Sequence, residues 1–327
     1  MSSILITGAS GRIGRNLIPA LLRSGDQVRV LVKENMVENE SVEIFYGDIL
    51  DRATIEKAVK NVDVVYHLAA VTDSLASKDE MHKVNVLGTK NLLEAGKGKK
   101  FIYLSTASVM GKNFKELPVN EQTKCNPSNF YAKTKLEAEK LVLENGGIVI
   151  RSPDIFSSGF LKDYNFVLSG LENGKMPIIG DGKNFIQWIH INDLVQALVL
   201  AKNLGKPGQL YIVAGKEFKT LKQMLSMLCS YLDVEPPQKH TSGLLAKAKA
   251  HSSVLKGKLS KERPEMIPDY IDKFTSNVTF DISKAKTELG FEPHVSYEDA
   301  AKEVVEEYMS LQKEEQKVPE EVSEEQA

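Results

Sequence analysis

The sequence predicts an α/β fold, a doubly wound parallel sheet with a smaller C-terminal lobe. Short apolar, β-branched runs alternate with helical patterns through roughly the first 150 residues, and a glycine-rich turn joins the first run to the first helix. After about residue 152 the rhythm breaks into segments punctuated by proline and glycine. Strands that alternate with helices need right-handed crossovers, and those give a parallel sheet covered on both faces.

The elements follow in order. Ser3 to Thr7 reads as the first strand, and Arg12 to Arg23 places Ile13, Leu17, Ile18, Leu21 and Leu22 at helical spacing. Val28–Val32, Val42–Tyr46, Val62–Tyr66 and Phe101–Leu104 are the next strands, with helical patterns at Thr54–Val59 and Met81–Ala95. A helix over Tyr131–Leu143 leads to a sixth strand at Ile148–Arg151. Residues 1–152, with parts of 185–215, are therefore assigned to a nucleotide-binding domain, and 153–312 to a discontinuous substrate lobe that closes over the ligand. Beyond residue 152, Leu194–Leu204 and Thr220–Leu232 read as helices. Thr241–Leu259 puts Leu244, Leu245, Ala248, Leu255 and Leu259 on one face with lysines around the others. An ordinary amphipathic helix with its leucines inward and a solvated basic face is expected, with a membrane-surface helix as the alternative. The Glu-rich stretch 313–327 has no periodicity and is expected to be a disordered tail.

Composition narrows the function. The 327 residues carry 42 Lys+Arg against 44 Asp+Glu, a net charge of −2, so no positive field is available for nucleic acid. Cys125 and Cys229 form no CxxC pair, and the histidines show no metal-ligand spacing. Neither a metal nor a disulfide framework is expected, and a cytoplasmic protein is. No apolar run approaches the ~20 residues of a spanning helix.

The chemistry lies at the strand ends. In Thr7-Gly8-Ala9-Ser10-Gly11-Arg12-Ile13-Gly14, Gly8 makes the turn, Gly11 removes the side chain facing a pyrophosphate, and Gly14 lets the helix pack on the sheet. The helix N-terminus then meets the anion with free N–H groups and a positive dipole end. The second strand ends in Val32-Lys33 with no carboxylate for a ribose 2′-hydroxyl, whereas Lys33 and Arg12 could pair with a 2′-phosphate. NADP is favoured over NAD on that ground. Asp48 is either an acceptor for the adenine amino group or a turn cap.

Tyr131 and Lys135 stand four residues apart on a helix, one turn apart on one face. A phenol with a pKa near ~10 is a poor proton shuttle at neutral pH, and a neighbouring ammonium would lower that value. The run Leu104-Ser105-Thr106-Ala107-Ser108 lies at the carboxyl end of the fifth strand, where open α/β sheets bind ligands, and can offer a hydroxyl to the reacting oxygen.

These segments, with Gly47-Asp48-Ile49, His67-Leu68-Ala69-Ala70, Asn85-Val86-Leu87-Gly88-Thr89 and Ser105–Gly111, come in the order found in the extended short-chain dehydrogenases/reductases. From about residue 3 to 308 the chain resembles that Rossmann-fold NAD(P)-dependent epimerase/dehydratase group. The resemblance implies Tyr131 as catalytic acid/base, Lys135 on the nicotinamide ribose, and Thr106 as the hydroxyl partner. It implies Asn85 as a structural or proton-relay residue, and Asp48 and Ile49 at the adenine. Leu68, Ala69, Ala70 and Pro153 complete the implied cofactor site. A homodimer through the Met81–Ala95 and Tyr131–Leu143 helices is also implied.

Departures from the group narrow the substrate. Ala107-Ser108 follow Thr106 where 4,6-dehydratases carry Asp-Glu, Ile186 stands where epimerases often have a diphosphate-binding arginine, and Asp154 would repel a diphosphate. What remains is similar to the branch of dihydroflavonol reductases and 3β-hydroxysteroid dehydrogenases, including Phe280–Lys286 and Leu289-Gly290-Phe291. The expected activity is hydride transfer between nicotinamide and a carbonyl or carbinol carbon of an apolar ketone or alcohol. The alternatives are a nucleotide-sugar epimerase, and a cofactor-binding regulatory or assembly protein. His190 is expected to pack or cap a helix.

Overall fold

The computed structural model describes all residues except 34–40, 74, 113, 261–263, 265–266 and 318–327. The chain divides into two compact units: Met1–Ile155 with Gln187–Lys216 and Asn277–Val295, and Phe156–Ile186 with Glu217–Ser276 and Ser296–Ala327. Asn277–Val295, expected in the substrate lobe, joins the first unit.

The first unit is built on a seven-stranded, all-parallel sheet. Its strands are β1 (Ser3–Thr7), β2 (Gln27–Val32), β3 (Val42–Tyr46), β4 (Val64–His67), β5 (Lys100–Thr106), β6 (Ile148–Ser152) and β9 (Leu210–Ile212), in the order β3-β2-β1-β4-β5-β6-β9. Registers such as Ile6↔Val30, Ile6↔Tyr66 and Tyr103↔Val149 put apolar residues side by side across both faces. The order reverses at β1, so the two halves of the chain diverge from the β1–β4 crevice, where ligands bind outside the carboxyl ends of the strands.

Helices α1 (Arg12–Arg23), α7 (Ile191–Leu204) and α11 (Ser283–Leu289) cover one face, sealing a core that includes Ile6, Leu17, Tyr66, Leu194 and Phe291. Helices α2 (Arg52–Ala58), α4 (Thr89–Ala95) and α5 (Phe130–Glu144) cover the other, over Leu5, Ile55, Leu92, Ala138 and Val149. His190 caps α7, its Nδ1 accepting from the Asn192 amide at 3.2 Å.

The helix expected over Met81–Ala95 forms, with a π-helical stretch inside it. It comprises α3 (Lys78–His82), a π-turn at Lys83–Gly88 and α4, and the extra residue in the turn carries the buried side chain of Asn85 inward. Gly88 lies in that turn because Ile49 is packed against it; a Cβ there would sit 2.6 Å from the Ile49 Cδ1.

The second unit contains α6 (Asn165–Glu172), α8 (Leu221–Leu232), α9 (Gly243–Ser260), α10 (Pro268–Thr275) and α12 (Tyr297–Lys317). Two short strand pairs join them: β8 (Phe185–Ile186) with β10 (Lys219–Thr220), and β7 (Ile178–Ile179) with β11 (His240–Thr241). Ile186, at the position where epimerases often have a diphosphate-binding arginine, is a buried strand residue. A full capping box starts α8, with Thr220 and Gln223 exchanging hydrogen bonds.

Two expectations fail in this unit. Helix α9 forms and packs with α10, but it turns its small residues inward: Ala246 and Ala250 are buried, while Leu244, Leu245, Ala248 and Leu255 face outward. Alanines at that spacing let two backbones approach closely, which a leucine-lined contact would not. Leu259 lies outside the described side chains. Glu-rich residues from 313 through Lys317 continue α12 rather than starting a tail, and 318–327 lie outside the described residues.

Candidate active site

The carboxyl ends of β1, β4, β5 and β6 bring the predicted residues to one edge of the first unit's sheet. The glycine loop leaves β1 with Gly8 at φ +73°, in the left-handed region that glycine tolerates best. A Cβ on Gly8 would sit 2.6 Å from the Ala69 amide nitrogen, and one on Gly14 would sit 2.6 Å from the Ala9 backbone. The loop is therefore pressed against Leu68–Ala69 on one side and under α1 on the other. At Gly11 a Cβ would meet only the Gly8 carbonyl, at 3.1 Å. No side chain caps α1, and its first turn contains no acid. An uncapped helix N-terminus behind a side-chain-free loop fits a dinucleotide pyrophosphate. Ser10 and Arg12 are exposed at this rim, with the Ser10 carbonyl accepting from Arg15 Nε at 2.9 Å, and Ile13 is half-buried against the core.

At the adjacent edge Lys33 Nζ lies 2.7 Å from Asp48 Oδ2. Asp48 Oδ1 also accepts from the Leu50 amide at 2.9 Å, so this carboxylate is a turn cap as well as an ion-pair partner. Ile49 is buried, its carbonyl accepting from Asn91 Nδ2 at 3.2 Å. Leu68, Ala69, Ala70 and Pro153 are half-buried at the strand ends, and the Pro153 carbonyl accepts from Ser152 Oγ at 2.9 Å.

Tyr131 sits in the first turn of α5, whose start is fixed by Asn129 Oδ1 accepting from the Ala132 amide at 2.8 Å. Lys135 is one turn on and buried, and its ammonium donates to the Leu104 carbonyl at 2.7 Å. The same nitrogen lies 4.0 Å above the centre of the Tyr103 ring. Burial lowers the Lys135 pKa to about 7, and the Glu139 carboxylate opposes that shift. Loss of solvation, reinforced by the Asp154 carboxylate, raises the Tyr131 phenol above its ordinary value. This corrects the expectation that Lys135 lowers it: desolvation acts on both groups, and the ammonium is directed toward Leu104 and Tyr103. Thr106 ends β5 half-buried and caps the short 3₁₀ turn Ala107–Met110, accepting from the Ser108 amide at 3.2 Å; its hydroxyl lies 2.9 Å from Ser108 Oγ.

Asn85 is held on every side. Its Oδ1 accepts from the Val71 amide at 2.7 Å, and its Nδ2 donates to the Val71 carbonyl at 3.0 Å and to Thr134 Oγ1 at 3.0 Å. Thr134 in turn donates to the Tyr131 carbonyl at 2.8 Å. This network ties the segment after β4 to the start of α5.

Three groups carry no assigned role in the sequence analysis. His67 is fully buried between Thr7 Oγ1, 2.7 Å from its Nδ1, and Thr89 Oγ1, 2.8 Å from its Nε2. Burial and the neighbouring Lys135 lower its pKa to about 3, so the ring is neutral. Tyr103 supplies the ring beneath Lys135. Glu139 and Arg151 form a buried bidentate pair at 2.6 and 2.9 Å that ties α5 to β6. Glu139 follows Tyr131 and Lys135 at the same four-residue step, a signal the sequence did contain.

Residues 4–214 match the NAD dependent epimerase/dehydratase family, and residues 162–304 match GDP-mannose 4,6 dehydratase. The chain is 25% identical over 309 residues to a 4-hydroxy-2-methyl-3-oxo-4-farnesyl-3,4-dihydroquinoline-1-oxide ketoreductase of Stigmatella aurantiaca, covering 90% of this chain and 92% of that protein. It is 26% identical over 339 residues to a 3-beta-hydroxysteroid dehydrogenase of Mycolicibacterium neoaurum, covering 95% and 92%. Among solved structures, UDP-glucuronic acid 4-epimerase from Bacillus cereus in complex with NAD superposes with a TM-score of 0.73 at 24% identity, covering 94% of this chain and 99% of that one, a likeness of fold.

Proposed function

Because the chain belongs to the NAD dependent epimerase/dehydratase family, within the extended short-chain dehydrogenases/reductases, we propose that it is an NAD(P)-dependent reductase or dehydrogenase acting on an apolar ketone or alcohol. The observation that carries this reading is the α5 face that presents Tyr131 and the buried Lys135 beside the end of β5. The nicotinamide supplies or accepts a hydride at the carbonyl or carbinol carbon when bound.

Gly8 and Gly11 would hold the pyrophosphate with the α1 N-terminus facing it, and Gly14 seats α1 on the loop. Tyr131, whose raised pKa keeps the phenol protonated at neutral pH, donates its proton to the carbonyl oxygen during reduction and takes one back from solvent afterwards. Thr106 donates a second hydrogen bond to that oxygen. Lys135 holds the ribose and stabilises the phenolate left on Tyr131. Oxidation runs the same proton transfers in reverse.

Lys33 and Arg12 support NADP over NAD, with Lys33 exchanging Asp48 for a 2′-phosphate. The apolar substrate is supported by Ala107-Ser108, Ile186 and Asp154 at positions where nucleotide-sugar enzymes carry other residues, and by the printed names of the ketoreductase and hydroxysteroid dehydrogenase relatives. The free Cys125 and Cys229 fit a reducing cytoplasm. A homodimer through α4 and α5 is supported by Leu87, 42% exposed beside them.

The test is a titration of the purified chain with NADPH, NADH, UDP-glucose and UDP, following nicotinamide fluorescence and melting temperature. Tighter binding of NADPH with no response to the uridine ligands is expected. Copurified NAD with stabilisation by UDP would replace this reading with an epimerase.

A further inference from the structure

Helix α9 presents an apolar stripe to solvent. Leu244 is 81% exposed, Leu245 60% and Leu255 63%, with Ala248 exposed between them. At about 100° per residue, Leu244, Ala248 and Leu255 fall on one line directly opposite the buried Ala246 and Ala250. Lys249 and Lys256 flank the stripe on one side and Lys247 on the other. From Pro236 to Lys261 the chain has six lysines and no Asp or Glu, although the whole chain carries a net charge of −2. On α10, Asp272 pairs with Lys247, and Lys249 and Lys256 make the opposite flank basic.

We propose that α9 is a membrane-surface helix that lays Leu244, Leu245 and Leu255 into the interface of an anionic lipid bilayer while its lysines reach the headgroups. Apolar residues pointing straight out between two basic flanks match a helix lying in the plane of a bilayer. Charge selects lipid over the other candidate occupants. A second copy of α9 laid across this one would bring lysine against lysine, with no acid on either copy of the helix. A nucleic acid would meet the lysines but leave the outward leucines in contact with phosphate and water. The association is peripheral, because no described helix is long and apolar enough to cross a membrane. It does not depend on the catalytic reading.

The test is co-sedimentation of the full chain with vesicles of about one part phosphatidylserine to three of phosphatidylcholine, against pure phosphatidylcholine. Pelleting with the anionic vesicles, weakened by salt, is expected. A Leu244→Gln/Leu245→Gln/Leu255→Gln variant should lose at least about tenfold in partitioning, and Lys249→Gln/Lys256→Gln should weaken binding without abolishing it. Melting temperature should be unchanged in both variants, since the substituted side chains are exposed. Absence of pelleting, or pelleting unaffected by the leucine changes, would overturn the proposal. So would a wild-type dimer that the leucine variant converts to monomer, which would assign the stripe to a second copy.

Discussion

The Lys135 ammonium lies 4.0 Å from the centre of the Tyr103 ring, and the next residue of the same strand, Leu104, accepts its hydrogen bond at 2.7 Å. One strand thus fixes the lysine from two sides, through a π-face and a carbonyl. The side chain is set in place by the protein alone, and its cost of burial is visible in a pKa near neutrality.

That pKa has a consequence for stability. Lys135 titrates at about 7 in the fold against an ordinary 10.5, so between those values the unfolded chain binds a proton that the native chain has released. Stability should therefore rise with pH across this window. Urea unfolding from pH 7 to 10 should show this rise, and Lys135→Met should flatten it.

His67 acts at the acid end with the same sign. Its pKa of about 3 against an ordinary 6.5 means that stability is lost as pH falls from 6.5, because only the unfolded state takes up the proton. His67→Gln should reduce this acid sensitivity while lowering stability at pH 7, where the links to Thr7 and Thr89 are disturbed. Melting temperatures at several pH values would measure both effects.

The Glu139–Arg151 pair ties α5 to β6. Glu139→Gln leaves the Arg151 cation buried without its partner and should cost about 3–5 kcal/mol of stability. Replacing both residues by methionine should cost less than the sum of the single changes, as read by denaturant unfolding.

Gly8→Ala should lower cofactor affinity and stability together. A Cβ there would lie 2.6 Å from the Ala69 amide in a backbone conformation at φ +73°, so the loop must shift and the phosphate cradle with it. Nicotinamide fluorescence titration and thermal melts would record the two losses.

Lys33→Asp should reverse coenzyme preference. An aspartate at the end of β2 would repel a 2′-phosphate and accept from a ribose hydroxyl. The ratio of NADPH to NADH dissociation constants should move toward NADH by about tenfold or more, the effect of roughly 1.4 kcal/mol.

Much of the fold was legible because each early element carries its own local signal. Ser3–Thr7 and Val42–Tyr46 agree with the expected strands residue for residue, and glycine marks the loop between β1 and α1. The π-turn at Lys83–Gly88 was hidden because one extra residue per turn barely disturbs apolar periodicity. Helix α9 was misjudged for a different reason: periodicity identifies a face but not which way it turns, and here alanines rather than leucines are buried. The phenol of Tyr131 was misjudged because spacing shows a neighbouring charge but not the loss of water around both groups. Asn85, Thr134 and Val71 are far apart in sequence, so only the fold discloses that they form one clamp.

The most direct measurement is the turnover and cofactor affinity of Tyr131→Phe, taken alongside the wild type with NADPH and an apolar ketone substrate identified by screening. Loss of about 10²–10⁴-fold in turnover with unchanged NADPH affinity is the expected result. Substantial retained turnover would contradict the assignment of Tyr131 as the proton donor and with it the proposed mechanism.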